Sequence, residues 1–125
     1  MSKKVIVVDD SRTSRVLIRS TLTGAGYEVV EAEDGHDGLA KIVDHRDAAL
    51  VLCDVNMPDM GGLDMIREAR EKHGCGGMTF IMLTTEAAPD LVQRAKATGA
   101  KGWIVKPFRP DLLLLAVRKL TAVAA

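Results

Sequence analysis

The sequence predicts an α/β fold, a three-layer sandwich in which helices cover both faces of a five-stranded parallel sheet. Short apolar runs with the composition of buried strands alternate along the chain with amphipathic segments, the pattern of βα units. The connections between these segments are short, and no repeat, low-complexity tract or linker interrupts them. The 125 residues therefore form one predicted domain spanning positions 1–125, since about 150 residues is usual for one domain.

The predicted strands have the length and apolar character of strands buried on both faces of a sheet. They cover residues 5–8, 28–32, 48–53, 80–83 and 103–105. The first helix follows a capping serine, Ser11, and ends at Gly24 and Gly26. The remaining helices are expected over residues 34–45, 62–72, 88–98 and 110–122. Pro110 suits the first turn of the last helix.

Composition argues against several classes of function. Seventeen basic and seventeen acidic side chains cancel, so no excess of positive charge favours nucleic-acid binding. No apolar stretch approaches the roughly 20 residues needed to span a bilayer, and no signal region precedes the first strand. Cys53 and Cys75 lack metal-like spacing and are interpreted as free thiols. We expect a cytoplasmic protein that binds neither membranes nor nucleic acid.

Polar residues follow four of the predicted strands at the point where each apolar run ends. Because the carboxyl ends of parallel strands share one edge of a sheet, where α/β proteins place their sites, these side chains should converge. They are Asp9 and Asp10 after the first strand, Asp54 after the third, Thr84 after the fourth and Lys106 after the fifth. Three carboxylates, a hydroxyl and an ammonium are groups suited to phosphoryl transfer.

The three carboxylates of Asp9, Asp10 and Asp54 would repel one another unless a cation lay among them. Oxygen ligands of this kind suit Mg²⁺, which is commonly held by one or two carboxylates and bridges to phosphate oxygens. The alternative for adjacent aspartates is a charge or cap at a helix N-terminus. The sequence leaves this alternative open for the Asp9–Asp10 pair considered alone.

A carboxylate such as Asp54 can act as a nucleophile and form an acyl phosphate. Lys106 would neutralise charge on the phosphoryl oxygens, and Thr84 would contact another oxygen. Pro107 disfavours helix at Lys106, which places this lysine on a fixed turn. Each residue also has an ordinary explanation, a solvated lysine or a strand-forming threonine. The hypothesis depends on the whole set.

Four motifs together resemble one family. They are VVDD at residues 7–10, CDVNMPDMGG at 53–62, LTTE at 83–86 and KPF at 106–108. In this order they are similar to the receiver domain of two-component response regulators. The resemblance covers essentially the whole chain. It is greatest to stand-alone chemotaxis regulators of the CheY type, because EAEDG occurs at residues 31–35 and no output domain follows the fifth helix.

The resemblance implies a flavodoxin-like fold with strand order 2-1-3-4-5. It implies that a phosphohistidine on a sensor histidine kinase phosphorylates Asp54 in a Mg²⁺-dependent reaction. By the same resemblance Mg²⁺ is bound by Asp10, Asp54 and the backbone carbonyl of Asn56, with Asp9 reaching it through water, and the phosphoryl group contacts Thr84 and Lys106. The protein is then a signalling phospho-acceptor that assists its own phosphorylation and dephosphorylation, not an enzyme acting on separate substrates.

The resemblance also implies a switch. Thr84 moves toward the phosphoryl group, and an aromatic residue three positions before the lysine, here Trp103, swings into the space behind it. Trp103 could instead be an ordinary core residue of the last strand. Asn56 and Glu86, two residues past Asp54 and Thr84, would tune self-dephosphorylation and predict a short-lived phosphoryl state.

The fifth helix predicts a partner surface. Leu112, Leu113, Ala116, Val117 and Leu120 form one apolar stripe, whereas Leu114 and Leu115 fall outside it. Surplus apolar residues of this kind indicate a binding face. We expect the fifth helix, the fourth helix and the Trp103 strand to bind a downstream target, such as the flagellar motor switch, and a phosphatase is a further expected partner.

Other functions remain open at this stage. A phosphorelay intermediate or a kinase-regulating receiver outside chemotaxis would show the same motifs. An aspartyl phosphatase would need a cap or pocket for its substrate. A flavin-binding electron carrier shares the fold, but DDSRTSR after the first strand is not a phosphate cradle. A docking module without phosphorylation is disfavoured by the intact set of acidic, hydroxyl and lysine residues.

Overall fold

The computed structural model describes residues 3–75, 77–85 and 89–121, with the backbone alone described at residues 89–92 and 95. Five strands and five helices alternate along this part of the chain. The strands are β1 (Lys4–Val8), β2 (Glu28–Ala32), β3 (Leu50–Asp54), β4 (Phe80–Thr84) and β5 (Gly102–Val105). The helices are α1 (Arg12–Gly24), α2 (Gly35–Asp44), α3 (Gly62–His73), α4 (Pro89–Thr98) and α5 (Pro110–Thr121).

The strands form one parallel sheet in the order β2-β1-β3-β4-β5. This is the flavodoxin-like arrangement, so the predicted fold class and strand order are confirmed. The register places the carboxyl ends of β1, β3, β4 and β5 at a common edge: Val8 pairs with Cys53, Asp54 with Leu83, and Thr84 with Val105. The polar residues at or just after these strand ends therefore face the same side of the molecule.

Two apolar cores lie on opposite faces of the sheet. One joins β1, β3 and β4 to α1 and α5, with Ile18, Leu22, Leu113 and Val117 as the buried helical residues. The other joins the opposite side chains of the same strands to α2 and α3. Because β1, β3 and β4 are buried on both faces, nearly every residue in them is apolar until the strand ends.

Side-chain caps define the starts of two helices. Ser11 accepts a hydrogen bond from the Ser14 N–H at 3.3 Å and begins α1. Asp34 accepts one from the Asp37 N–H at 2.7 Å and begins α2. In both cases the cap satisfies a backbone donor that has no partner within the helix.

Asp34→Ala should lower the free energy of unfolding by about 1 kcal/mol, because it removes the cap of α2. Asp44 lies at the other end of the same helix and is exposed. Asp44→Ala should therefore be neutral or slightly stabilising, since a negative charge is unfavourable at a helix C-terminus. Urea unfolding measures both variants. Equal destabilisation by the two substitutions would contradict the capping role of Asp34.

The observed boundaries differ from the predicted ones at a few positions. β3 begins at Leu50 rather than at residue 48, because the Ala48 N–H donates to the His45 carbonyl in a turn after α2. The strand includes Asp54 itself. Predicted boundaries at residues 88 and 122 lie outside the described residues.

The predicted apolar stripe on α5 is confirmed at Leu113, Val117 and Leu120, which pack in or against the core, and is wrong at Leu112. Leu112 was assigned to the buried face but is 53% exposed, whereas Leu114 packs against the core. The buried row runs through Leu113, Val117 and Thr121. Leu115 lies outside the core as expected, with 63% of its surface exposed.

Within the described ranges, no helix combines the length and apolar character needed to cross a bilayer.

Candidate functional site

The carboxyl edge of the sheet brings charged side chains from three strands into contact. Asp9 directly follows β1, Asp54 is the last residue of β3, and Lys106 directly follows β5. The Lys106 ammonium donates to Asp9 Oδ2 at 2.6 Å and to Asp54 Oδ2 at 3.1 Å. Thr84, the last residue of β4, is buried at the same edge. The predicted convergence of these four residues is therefore present in the structure.

Asp9 is completely buried, and both oxygens of its side chain accept hydrogen bonds. Its Oδ1 accepts the Ser11 N–H at 2.9 Å, and its Oδ2 accepts Lys106. The guanidinium of Arg15 donates to the Asp9 backbone carbonyl at 2.6 Å. Arg15 was not among the predicted site residues. The only available signal was its position one turn after the capping Ser11, which turns its side chain back toward the strand end.

The Lys106 side chain is only 13% exposed. Burial alone would lower the pKa of its ammonium, but hydrogen bonds and charge from Asp9 and Asp54 outweigh burial and raise the pKa. Lys106 therefore stays charged at neutral pH. The peptide bond between Lys106 and Pro107 is cis.

Asp54 is buried, and burial is the main cause that raises the pKa of its carboxyl group. The hydrogen bonds from Lys106 and from the Asn56 N–H, the latter 3.1 Å from Oδ1, act in the opposite direction. The neighbouring charge of Asp9 raises the pKa further. Asp54 thus lies in a site that favours a compensating positive charge.

The acidic cluster fits a divalent cation with oxygen ligands. Asp9, Asp10 and Asp54 each offer a carboxylate oxygen, and these oxygens lie within 4.8 Å of one another. Asp10 is exposed, whereas Asp9 and Asp54 are buried and the oxygens of both already accept hydrogen bonds. An all-oxygen set with open access suits Mg²⁺, which retains several of its waters.

The sequence matches the family described as response regulator receiver domain over residues 5–118. The chain belongs to this family. Receiver domains are signalling regulators of two-component systems, and they generally bind Mg²⁺ through an acidic pocket such as the one formed by Asp9, Asp10 and Asp54.

Several of the similar proteins are chemotaxis regulators. The receiver is 40% identical over 111 residues to the chemotaxis protein CheY1 of Helicobacter pylori, covering 88% of this chain and 90% of that protein. It is 41% identical to the solved structure of CheY4 of Vibrio cholerae, with a TM-score of 0.90 over 96% of this chain and 99% of that one. A complex of CheX, CheY, BeF₃ and Mg²⁺ from Borrelia burgdorferi matches at 26% identity and a TM-score of 0.88, covering 97% and 90% of the two chains.

The remaining predicted site residues are Asn56, Trp103 and Glu86, and the two that the structure describes differ in how they are placed relative to Asp54. Asn56 is exposed beside Asp54, which its N–H contacts. Trp103 is 36% exposed, so the alternative of a buried core tryptophan is wrong. The ring lies beside the ammonium of Lys96, which is 5.3 Å from its centroid. Glu86 lies outside the described residues.

In metal-free receiver, Asp54→Asn should be more stable than the wild type near neutral pH. The raised pKa means that the folded state loses the Asp54 proton at a higher pH than the unfolded chain, whose aspartate pKa is about 3.9. Stability is therefore lost as pH rises from the unfolded pKa through the folded pKa, and the advantage of asparagine should vanish in acid.

Urea unfolding over a pH series in the presence of a chelator measures this difference. Asp64→Asn, at an exposed position of α3, is the matched control and should show no such gain. A wild type as stable as Asp54→Asn at neutral pH would contradict the proposed cost of burying Asp54.

Proposed function

We propose that this receiver accepts a phosphoryl group on Asp54 from a phosphohistidine of a sensor histidine kinase, in a Mg²⁺-dependent reaction. The observation that most supports this proposal is the group of side chains around the Asp54 carboxylate. Its carboxylate accepts the Lys106 ammonium at 3.1 Å and lies within 4.8 Å of oxygens from Asp9 and Asp10. The buried Asp54 carboxylate is thus in contact with a cation and close to two further carboxylates that could help to hold a metal ion.

The transfer uses the carboxylate as nucleophile. A carboxylate oxygen of Asp54 forms a bond to phosphorus while the bond from phosphorus to the imidazole nitrogen breaks, and the electron pair of that bond stays on the histidine. Lys106 would move its ammonium onto a phosphoryl oxygen, since it already contacts Asp54. The hydroxyl of Thr84, at the end of the adjacent strand, would donate to another oxygen.

The residues that would hold Mg²⁺ are Asp10, Asp54 and the backbone carbonyl of Asn56. Asp9 would act through a water molecule, because its side chain is completely buried, whereas that of Asp54 is partly exposed. When bound, Mg²⁺ neutralises negative charge on the phosphoryl oxygens and on the carboxylates.

The phosphoryl state should be short-lived. Asn56 is exposed next to Asp54, where its side chain can bind and orient an attacking water. Together with Glu86 it would tune this hydrolysis. The protein would assist its own dephosphorylation without acting on separate substrates, and so would not be an enzyme in the usual sense.

The output surface would comprise the exposed apolar side chains around the edge strand β5. They are Trp103 and Val105 on β5 and Leu112 and Leu115 on α5. A phosphoryl group adds roughly −1.5 to −2 charges at Asp54. Drawing Thr84 and Lys106 toward it would change the packing next to β5, because Thr84 pairs with Val105 in the sheet.

The downstream partner would be a target protein of chemotaxis, such as the flagellar motor switch, with a phosphatase as a second partner. The similarity to CheY proteins of Helicobacter pylori and Campylobacter jejuni supports this role. A phosphorelay or kinase-regulating receiver outside chemotaxis is the second candidate, since the same site serves both. We further propose that the single receiver domain spans residues 1–125 and acts in the cytoplasm.

A titration with Mg²⁺ and then beryllofluoride, a phosphoryl mimic, tests the site. Trp103 is the only tryptophan, so its fluorescence reports on the output surface alone. We expect a saturable Mg²⁺ response that Asp54→Asn and Asp10→Asn abolish, and a further change on adding the mimic. A folded protein in which isothermal calorimetry detects binding of neither ligand would instead be a docking module.

An aspartyl phosphatase uses a similar nucleophile, but the described residues consist of the βα units and their short connections, without an inserted cap. Turnover of a small phosphate ester beyond one equivalent per protein would favour the phosphatase.

A further inference from the structure

The last turn of α4 is fixed to both of its neighbours. The guanidinium of Arg70 on α3 donates to the Thr98 carbonyl at the C-terminus of α4. In the same turn, the Lys96 ammonium lies 5.3 Å from the centroid of the Trp103 ring on β5. Arg70 thereby satisfies a carbonyl with no partner inside the helix and ties the turn that carries Lys96 to α3.

The Trp103 indole lies on the face of the sheet that α3 and α4 cover. Trp103 pairs with Met82, which belongs to the core on that face, whereas the adjacent Ile104 packs into the opposite core. Two residues beyond Met82 on the same face is Thr84. The indole lies beside Lys96 of α4 and is partly exposed, which we call the outward position; an inward position would lie toward Thr84 on the same face.

We propose that Lys96 is a positioning residue that holds the Trp103 indole outward and thereby opposes the phosphorylated state of the receiver. A cation over the face of an exposed indole shifts an equilibrium by about two- to fivefold. This regulation rests on the proposed function, because it concerns the affinity of the Asp54 site for a phosphoryl group.

The contact between Lys96 and Trp103 is therefore expected to affect binding at the Asp54 site. If the phosphoryl-binding state requires the indole to leave Lys96, the apparent affinity for a phosphoryl mimic is reduced by the fraction of molecules in the outward state. Removing the Lys96 charge should then raise the fraction of molecules with the indole inward, and the affinity for the mimic should increase by the same factor. Arginine at this position keeps the cation and can stack on the indole, so it should preserve the outward state.

Fluorine NMR of 5-fluorotryptophan at the single tryptophan tests the contact without any ligand. Lys96→Gln should raise the inward population about two- to fivefold and reduce quenching of Trp103 by acrylamide. Lys96→Arg should restore the wild-type spectrum. Lys101→Gln, at a nearby exposed lysine, is the matched control and should leave the spectrum unchanged. A Lys96→Gln spectrum no different from that of Lys101→Gln would overturn the proposal.

Beryllofluoride binding in the presence of Mg²⁺, measured by calorimetry, tests the regulatory consequence. Lys96→Gln should bind the mimic about two- to fivefold more tightly than the wild type. An unchanged affinity combined with a shifted indole would overturn the regulatory role of Lys96. If the wild type does not bind the mimic at all, the proposed function fails, whereas the fluorine spectra still decide whether Lys96 holds the indole.

Discussion

Lys106→Met should destabilise the metal-free receiver by about 3 kcal/mol, the cost expected when one partner of a buried ion pair is removed. Asp9 is completely buried, and its closest charged contact is the Lys106 ammonium at 2.6 Å. Methionine keeps most of the apolar stem but leaves the Asp9 and Asp54 carboxylates without this cation. Urea unfolding in the presence of a chelator measures the loss.

Two comparisons separate charge compensation from packing. Lys101→Met replaces an exposed lysine and should change the free energy of unfolding by less than about 0.5 kcal/mol. Adding Asp9→Asn to Lys106→Met should recover most of the loss, because it removes the unpaired buried charge. If Lys106→Met is as stable as the wild type in the absence of divalent ions, the Lys106 ammonium does not compensate the negative charge of Asp9 and Asp54.

Gly62→Ala should destabilise the receiver by about 2 kcal/mol and distort the position of Asp54. A Cβ atom at Gly62 would overlap the backbone carbonyl oxygen of Asp54 and would lie 2.9 Å from Met82 Cε. The Asp54 carbonyl oxygen cannot move without also displacing the side-chain carboxylate of the same residue. We therefore expect reduced uptake of a phosphoryl group together with the lower stability.

Gly24→Ala is the control for Gly62→Ala. A Cβ atom at Gly24 would meet nothing within 4 Å, and alanine is favoured over glycine in a helix by about 1 kcal/mol. This variant should be neutral or slightly more stable, with normal phosphoryl uptake. Thermal and urea unfolding compare the two proteins. Similar stability of both variants would mean that the backbone near Asp54 adapts easily, which would contradict the predicted overlap between a Cβ atom at Gly62 and the Asp54 carbonyl oxygen.

Much of the fold follows from strong local signals in the sequence. Runs such as residues 5–8 and 80–83 consist of apolar residues and are followed by polar ones, so both their burial and their ends are visible. Because parallel strands share an edge, the same signals predict that Asp9, Asp54 and Lys106 meet, as they do. The order of the strands came from family resemblance, since periodicity does not determine which strands are neighbours.

Other structural features could not be predicted from the sequence, either because the local residue pattern fits two structures or because the feature depends on a contact between distant residues. Residues 112–115 are four consecutive leucines, so the sequence does not show which of them face the core. The strand β3 is preceded by two alanines that suit a strand or a turn equally. The position of Lys96 above Trp103 depends on how α4 packs on the sheet, which residue spacing does not reveal.

The most direct test of the central claim is to map where a phosphoryl group enters the protein. The receiver is incubated with acetyl phosphate and Mg²⁺, reduced with borohydride to convert an aspartyl phosphate into homoserine, and analysed by peptide mass spectrometry. We predict modification at Asp54 alone, dependent on Mg²⁺ and absent in Asp54→Asn, with Asp64→Asn modified normally. Modification at another residue, or none at Asp54 in a protein that binds Mg²⁺, would contradict the assignment of Asp54 as the phosphoryl acceptor.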